Sequence, residues 1–339
     1  MSEQLFKKAI VFTDIHFGAK QNNQQHNDDC LNFVKWMIEE GKTWGADTCI
    51  FTGDFHNQRN TLHVGTMNYS LTALELISGA FKQFWFIPGN HDLFYREKRD
   101  LNSIEWARNI KNLQIINDFV TVGDVTFAPW LVDDEHKKIP HIKSRYMFGH
   151  FELPHFYMNK MIQMPDNGNA NDIKDFKKQE YVFSGHFHKR QVRENVVYMG
   201  NCFPHNFSDA WDDERGMMFL EWGKEPFFKN WDMAPKYHTL KLSQLLETPE
   251  KFIDDRTFAK VDIDFEISFE EASVIKETLT EHYGARKIEL IQSSRSIEEQ
   301  EFDGEVEFRS IDQLVIEGLK SFESELINKD KLVDIYLNL

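Results

Sequence analysis

Ala9-Ile10-Val11-Phe12-Thr13-Asp14-Ile15-His16 joins an apolar run directly to a polar Asp-x-His cluster. The apolar half reads as a buried strand, because aliphatic and aromatic residues follow one another without alternation. The polar half then falls at the carboxyl end of that strand, where α/β sheets bind their ligands. The arrangement returns four times. Thr48–Thr52 (TCIFT) runs into Gly53-Asp54, and Gln83–Ile87 (QFWFI) leads through Pro88 to Gly89-Asn90-His91-Asp92. Arg145–Phe148 (RYMF) runs into Gly149-His150, and Tyr181–Ser184 (YVFS) into Gly185-His186-Phe187-His188. Two helical patterns separate the early strands. Asp28–Lys42 places Leu31, Val34 and Ile38 on one face, and Val64–Ile77 places Val64, Met67, Leu71 and Leu74 on one face. Strands alternating with helices imply an α/β sheet, and five polar clusters at strand ends converge on one edge of it.

The converging donors are Asp14, His16, Asp54, Asn90, His150, His186 and His188. They offer oxygen and imidazole and no thiolate, a set that suits manganese, iron or zinc in a reactive site better than a structural zinc. Seven donors are too many for one tetrahedral ion and fit two ions that share a bridging carboxylate. A glycine before most of the clusters lets the backbone turn tightly enough for the ligand to point inward.

In their order, DxH–GD–GNHD–GH–GHxH, these clusters resemble the signature of the calcineurin-like metallophosphoesterases, over roughly residues 8–220. Two longer stretches are similar to the SbcD nucleases and their tailed-phage counterparts. One is Gly53-Asp54-Phe55-His56-Asn57-Gln58-Arg59; the other runs from Gly200-Asn201 through Ser208-Asp209-Ala210-Trp211 to Asp213-Glu214-Arg215-Gly216. The resemblance implies an α/β fold with a four-layer α-β-β-α core at 1–238, a small β-α-β capping domain at 239–293, a linker at 294–309 and a helical ATPase-docking segment at 310–339. It implies two Mn²⁺ ions, with Mg²⁺ or another divalent metal as alternatives. Asp14, His16 and His188 are then expected to hold the first ion, Asn90, His150 and His186 the second, and Asp54 both. His91 is expected beside the scissile phosphate as general acid or transition-state stabiliser. Some members of that family carry a second active-site histidine three positions after the bridging Asp. Here that position is Asn57, with His56 one residue earlier, and the role is not carried over.

The implied activity is hydrolysis of DNA phosphodiesters, exonucleolytic at duplex ends and endonucleolytic on single strands. The implied partners are DNA, an SbcC-type coiled-coil ATPase engaged through the C-terminal helices, and a second copy in a homodimer. Lys189 and Arg190, directly after the last cluster, are candidates for contact with DNA phosphates. Two other readings stay open: a phosphatase or cyclic-nucleotide phosphodiesterase on the same metal core, and a non-catalytic scaffold for DNA ends. His26, His63, His136, His141, His155, His205, His238 and His282 read as surface or satisfied loop residues.

The formal net charge of −16 opposes binding to DNA, which needs Lys and Arg. It is unevenly spread: from Leu240 onward 12 Lys+Arg face 24 Asp+Glu, a net of −12, which leaves −4 for residues 1–239. The length of 339 residues suggests about two domains. Three widely spaced cysteines, Cys30, Cys49 and Cys202, exclude a CxxC pair and read as free thiols of a cytoplasmic protein. No apolar run is long enough for a membrane span. Past a break near Trp231–Leu240, Thr257–Phe265 alternates as a strand. Ser268–His282 reads as a helix capped by Ser268 with Glu271, and Ala285–Gln292 as a strand. Ile311–Leu339 carries two apolar stripes of helical period.

Overall fold

The apolar runs become strands of two six-stranded sheets in the computed structural model of the protein, which describes residues 4–160, 162–166, 171–292 and Lys331. The first sheet has the order Phe227–Asn230, Gly216–Glu221, Lys8–Phe12, Thr48–Phe51, Gln83–Phe86, Leu113–Ile115. Its last four strands are parallel, and the first two are antiparallel additions. The second has the order Gln191–Arg193, Val196–Tyr198, Tyr181–Gly185, Tyr146–His150, Val125–Ala128, Val120–Val122, with the middle four parallel. The chain builds four strands of the first sheet, then the whole second sheet, then returns. Residues 112–130 and 195–222 are therefore the two places where it crosses between sheets.

Alternate residues of the strands face different cores. Ile10, Phe12, Phe51, Phe84 and Phe86 pack under the helices Gln24–Trp44 and Val64–Ala80. Val11, Ile50, Trp85, Phe127, Tyr146, Phe148 and Phe183 fill the space between the sheets. Met147, Val182, Val196 and Tyr198 pack outward against Phe151, Phe156, Phe176 and Ile139. That last cover includes 3-10 segments, Asp133–His141 and Ile173–Phe176, in place of long helices. Each buried Phe contributes roughly 1.5–3 kcal/mol.

Both helices depart from their sequence reading. The first runs from Gln24, capped by Asn23, to Trp44, where Gly45 adopts a left-handed φ of 80°. The second buries Thr66, Ser70, Ala73, Leu74, Ile77 and Ser78, so of the expected stripe only Leu74 is buried; Val64 is 75% exposed. The hydroxyls decide its rotation. Thr66 bonds Asn22 and Asn27, and Ser70 bonds His56. A short hairpin unforeseen in sequence, Leu93–Tyr95 with Lys98–Asn102, follows the third polar cluster.

Lys236–Lys241, Thr257–Ile263 and Lys287–Gln292 form a separate three-stranded parallel sheet, with the helices Leu242–Glu247 and Phe269–Glu281. Ser268 caps the second helix and pairs with Glu271 as its spacing predicts. The first of these strands runs across the 238/239 boundary read from sequence, where hydropathy shows no alternation. Residues 293–339 form a second unit. Lys331 apart, they lie outside the described residues, and so do the expected linker at 294–309 and the helical segment at 310–339.

Strand register positions the polar clusters. Phe12, Phe51, Phe86 and Ile115 stand side by side across the first sheet, and Ala128, Gly149 and Ser184 across the second. The loops that follow open on one common edge.

Candidate metal centre

The first loop leaves its strand through two left-handed residues, Asp14 (φ 50°) and His16 (φ 52°). Non-glycine residues reach that region only where the surroundings hold them. The Asp14 carboxylate accepts from Thr13 Oγ1 at 2.7 Å and from the His186 amide at 3.0 Å. Ligand atoms of Asp14, His16 and His188 lie within 4.8 Å of one another. Both ring nitrogens of His16 are buried without a hydrogen-bond partner.

The second loop turns at Gly53, whose φ of 113° excludes most side chains; a Cβ there would lie 2.1 Å from His150 Nδ1. Asp54 follows, also left-handed. Its Oδ1 accepts the His91 amide at 2.8 Å. Its Oδ2 lies 3.8 Å from His16 Nε2 and 3.4 Å from His150 Nε2, so one carboxylate stands between two groups of imidazoles. Ligand atoms of Asp54, His150 and His186 form a second triad within 4.8 Å. Asn90 Oδ1 joins it, 3.1 Å from His150 Nε2. Oxygen and imidazole donors in two adjoining triads, with the unpartnered His16 nitrogens between carboxylates, fit a pair of divalent cations.

Burial pulls the His16 imidazole well below its usual range and sets the electrostatics of the site. Burial also lowers His150, but the Asp54 and Asp14 carboxylates and the Thr52 carbonyl outweigh it and raise the ring to about 9. Burial raises Asp54, yet His150, His91 and His16 hold its carboxyl well below the carboxylate range. His150 is thus the charge partner of Asp54. A divalent cation held there would take over that part, with loss of the proton.

His91 is half-buried, its ring centroid 5.1 Å from that of His16. A carbonyl only accepts, so the 2.8 Å contact with the Asn57 oxygen places a proton on His91 Nδ1 and leaves Nε2 for other work. Asn57 thus serves through its main chain. His56 faces away, buried with Nδ1 on Ser103 and Nε2 on Ser70, and burial lowers it to about 3. Lys189 sits over the ring of Tyr157. The Arg190 guanidinium is packed on Phe228 and bonds Met199 O and Asn230, so it is engaged within the fold.

Of the histidines read in sequence as surface or satisfied loop residues, His26, His205 and His238 are buried. His26 and His205 bond main-chain carbonyls of the first loop. Burial lowers His26 to about 4 and His205 well below its normal range, so both rings are neutral. His155 is exposed, 3.9 Å from Asp166. Sequence reading also assigned no part to Asp92 or Glu152. Asp92 accepts the amides of Phe55, His56 and Gly89. Glu152 lies 3.4 Å from His186 Nε2 and is itself held by Arg96. Position was the available signal: Asp92 ends the third cluster, and Glu152 comes two residues after His150.

The family described as calcineurin-like phosphoesterase matches residues 7–221. Exonuclease subunit 1 of Enterobacteria phage T4 is 28% identical over 224 residues, which are 63% of this chain and 64% of that protein. The chain thus spans somewhat under two thirds of the length of that relative. Among solved structures, the phosphoesterase YfcE from E. coli is similar at 13% identity and a TM-score of 0.34, covering 63% of this chain and 88% of that one. A dimetal phosphatase from Danio rerio is similar at 10% identity and a TM-score of 0.37, covering 63% and 92%. Among the described residues no helix is long and apolar enough to cross a membrane.

Proposed function

The chain belongs to the calcineurin-like phosphoesterase family, and from that premise we propose that it is a two-metal DNA nuclease, the cutting subunit of an SbcCD-type complex. The observation that carries the reading is the Asp54 carboxylate between two donor triads, with His91 anchored beside it. The similarity to a phage exonuclease subunit supports DNA as the substrate.

Asp14, His16, His188 and Asp54 would hold one cation and Asn90, His150, His186 and Asp54 the other, and manganese is the ion proposed. Such a pair neutralises charge on the phosphate oxygens and supplies a water nucleophile at neutral pH. The protein's own work is positioning and proton delivery. His91, with Nδ1–H fixed on Asn57, presents Nε2 to the departing sugar oxygen and protonates it. Lys189, the less engaged of the two basic residues, contacts the DNA backbone. The products are those of a double-strand exonuclease and single-strand endonuclease acting in end processing.

The proposed division is a nuclease domain at 1–238, a capping domain at 239–293, a linker at 294–309 and, at 310–339, a segment that docks on the coiled coil of an SbcC-type ATPase. A shortened chain ending at Glu307 keeps its fold and loses that partner; retained binding would overturn the docking assignment. The chain pairs as a homodimer, and a monomer mass in light scattering would contradict that.

The decisive test is cleavage of end-labelled linear DNA with Mn²⁺, Mg²⁺ or chelator, beside His91→Ala. Manganese-dependent shortening that His91→Ala abolishes is the expected result. Rapid turnover of small phosphodiesters with DNA left intact would make the chain a phosphoesterase of another substrate class. Normal function of Asp54→Asn would leave only a scaffold.

A further inference from the structure

Four consecutive main-chain carbonyls of the first loop each accept from a different buried side chain. Cys202 Sγ bonds Thr13 O at 3.0 Å, and His205 Nε2 bonds Asp14 O at 2.8 Å. Cys30 Sγ bonds Ile15 O at 3.3 Å, and His26 Nε2 bonds His16 O at 2.9 Å. The division is regular. The helix Gln24–Trp44 supplies the imidazole and thiol for residues 15 and 16, and the segment after strand Val196–Tyr198 supplies those for residues 13 and 14. All four donors are at least 95% buried. The amides of the same loop are used elsewhere: Asp14 and His16 donate to the carbonyls of Gly53 and Asp54.

Buried carbonyls need donors, and a short loop usually finds them in water or neighbouring backbone. Here side chains supply one to each, joined at His16 O by the Ala19 amide, around two residues held in the left-handed region, Asp14 and His16, which are also two of the three side chains of one cation triad. Accepting carbonyls require Nε2–H on both His26 and His205, so the tautomer of each is fixed. His205 Nδ1 is then a buried lone pair without a partner. The His205 ring stands 5.3 Å from that of His16 and 5.6 Å from that of His188.

We propose that His205, His26, Cys202 and Cys30 are positioning residues that set the cation affinity of the Asp14–His16–His188 triad without touching the cation. They hold the loop in the conformation that aims both ligands, so their loss weakens that triad and spares the one at Asp54–His150–His186. His205, nearest to two ligands, carries the largest share. The inference rests on the two-cation reading of the centre.

The test is titration of the full chain with Mn²⁺, followed by calorimetry and by electron paramagnetic resonance of the bound ion. Wild type is expected to bind two ions with a coupled-pair spectrum. His205→Leu is expected to bind one with near wild-type affinity and the other on the order of 10- to 100-fold more weakly, leaving an isolated-ion spectrum. His205→Gln, which returns an N–H donor at the place of Nε2, is expected to restore the pair. Two ions bound normally by folded His205→Leu, or both sites weakened alike, would overturn the proposal. If His205→Leu does not fold, Cys202→Ala and His26→Leu decide by the same measurements. Failure of wild type to bind any Mn²⁺ would instead remove the cation centre on which the proposal stands.

Discussion

Thr13–His16 and Gly53–His56 run side by side at the metal centre, amide to carbonyl, yet opposite chemistry holds them from behind. The first loop has each of its four carbonyls bonded by a neutral side chain from one of two elements, with the Ala19 amide also on His16 O. The second has its amides gathered by one carboxylate: Asp92, fully buried, accepts from Phe55 and His56 and also from Gly89 in the adjoining loop. Burial and the nearby Asp54 carboxylate push the Asp92 carboxyl up to about 6 against those three bonds. Distributed anchoring loses its parts one at a time; concentrated anchoring is lost at one position.

The sharpest way to break the contrast is Asp92→Ala. It strips three buried amides of their acceptor, and at roughly 1–3 kcal/mol for each unpaired group the expected loss is about 4 kcal/mol in urea unfolding of the metal-free protein. A loss below about 1 kcal/mol would mean that the two loops are held alike. Next comes Glu152→Ala, which frees His186 and is expected to weaken manganese at the second triad by about 10- to 100-fold while leaving the first unchanged. Equal weakening of both would contradict that separation.

A third change calibrates both loops against an ion pair that contributes no atom to either triad. Burial pushes the Glu135 carboxyl up, but hydrogen bonds from Arg99, the Val132 amide and Lys138 hold it down at about 2. With the folded value below the unfolded one of about 4.3, its stabilisation is full above that pH and lost as pH falls toward 2. Glu135→Gln is expected to cost roughly 2 kcal/mol at pH 7 and about a quarter of that near pH 2.5. A gap that stays constant with pH would assign the effect to packing. The smallest effect belongs to Cys30→Ser, below about 1 kcal/mol, because the hydroxyl still donates to Ile15 O; a larger loss would show that sulfur volume matters more than the donated proton.

What was legible in the sequence follows the same division. The residues of both triads stood out because Asp and His there directly follow apolar runs. His26, His205, Cys30 and Cys202 were not, because they act on main-chain carbonyls, which leave no mark on residue spacing. The rotation of Val64–Ala80 was hidden for a related reason: hydropathy ranks Val64 above Ser70, but Ser70 has a buried imidazole to satisfy. Lys189 and Arg190 look equivalent as letters; only the fold reveals Phe228 under one of them. The strand Lys236–Lys241 was missed because one of its faces is covered by side chains remote in sequence.

The parallel sheets also fix when the centre comes into being. Asp14 and His188 share a triad although 174 positions separate them along the chain, and parallel pairing offers no local shortcut between them. Contacts of such high order form late, after the entropy of large loops has been overcome. During synthesis, a growing chain that has not yet extended past His188 holds one ligand short of its first triad. Assembly of that triad therefore waits until the chain has extended past His188.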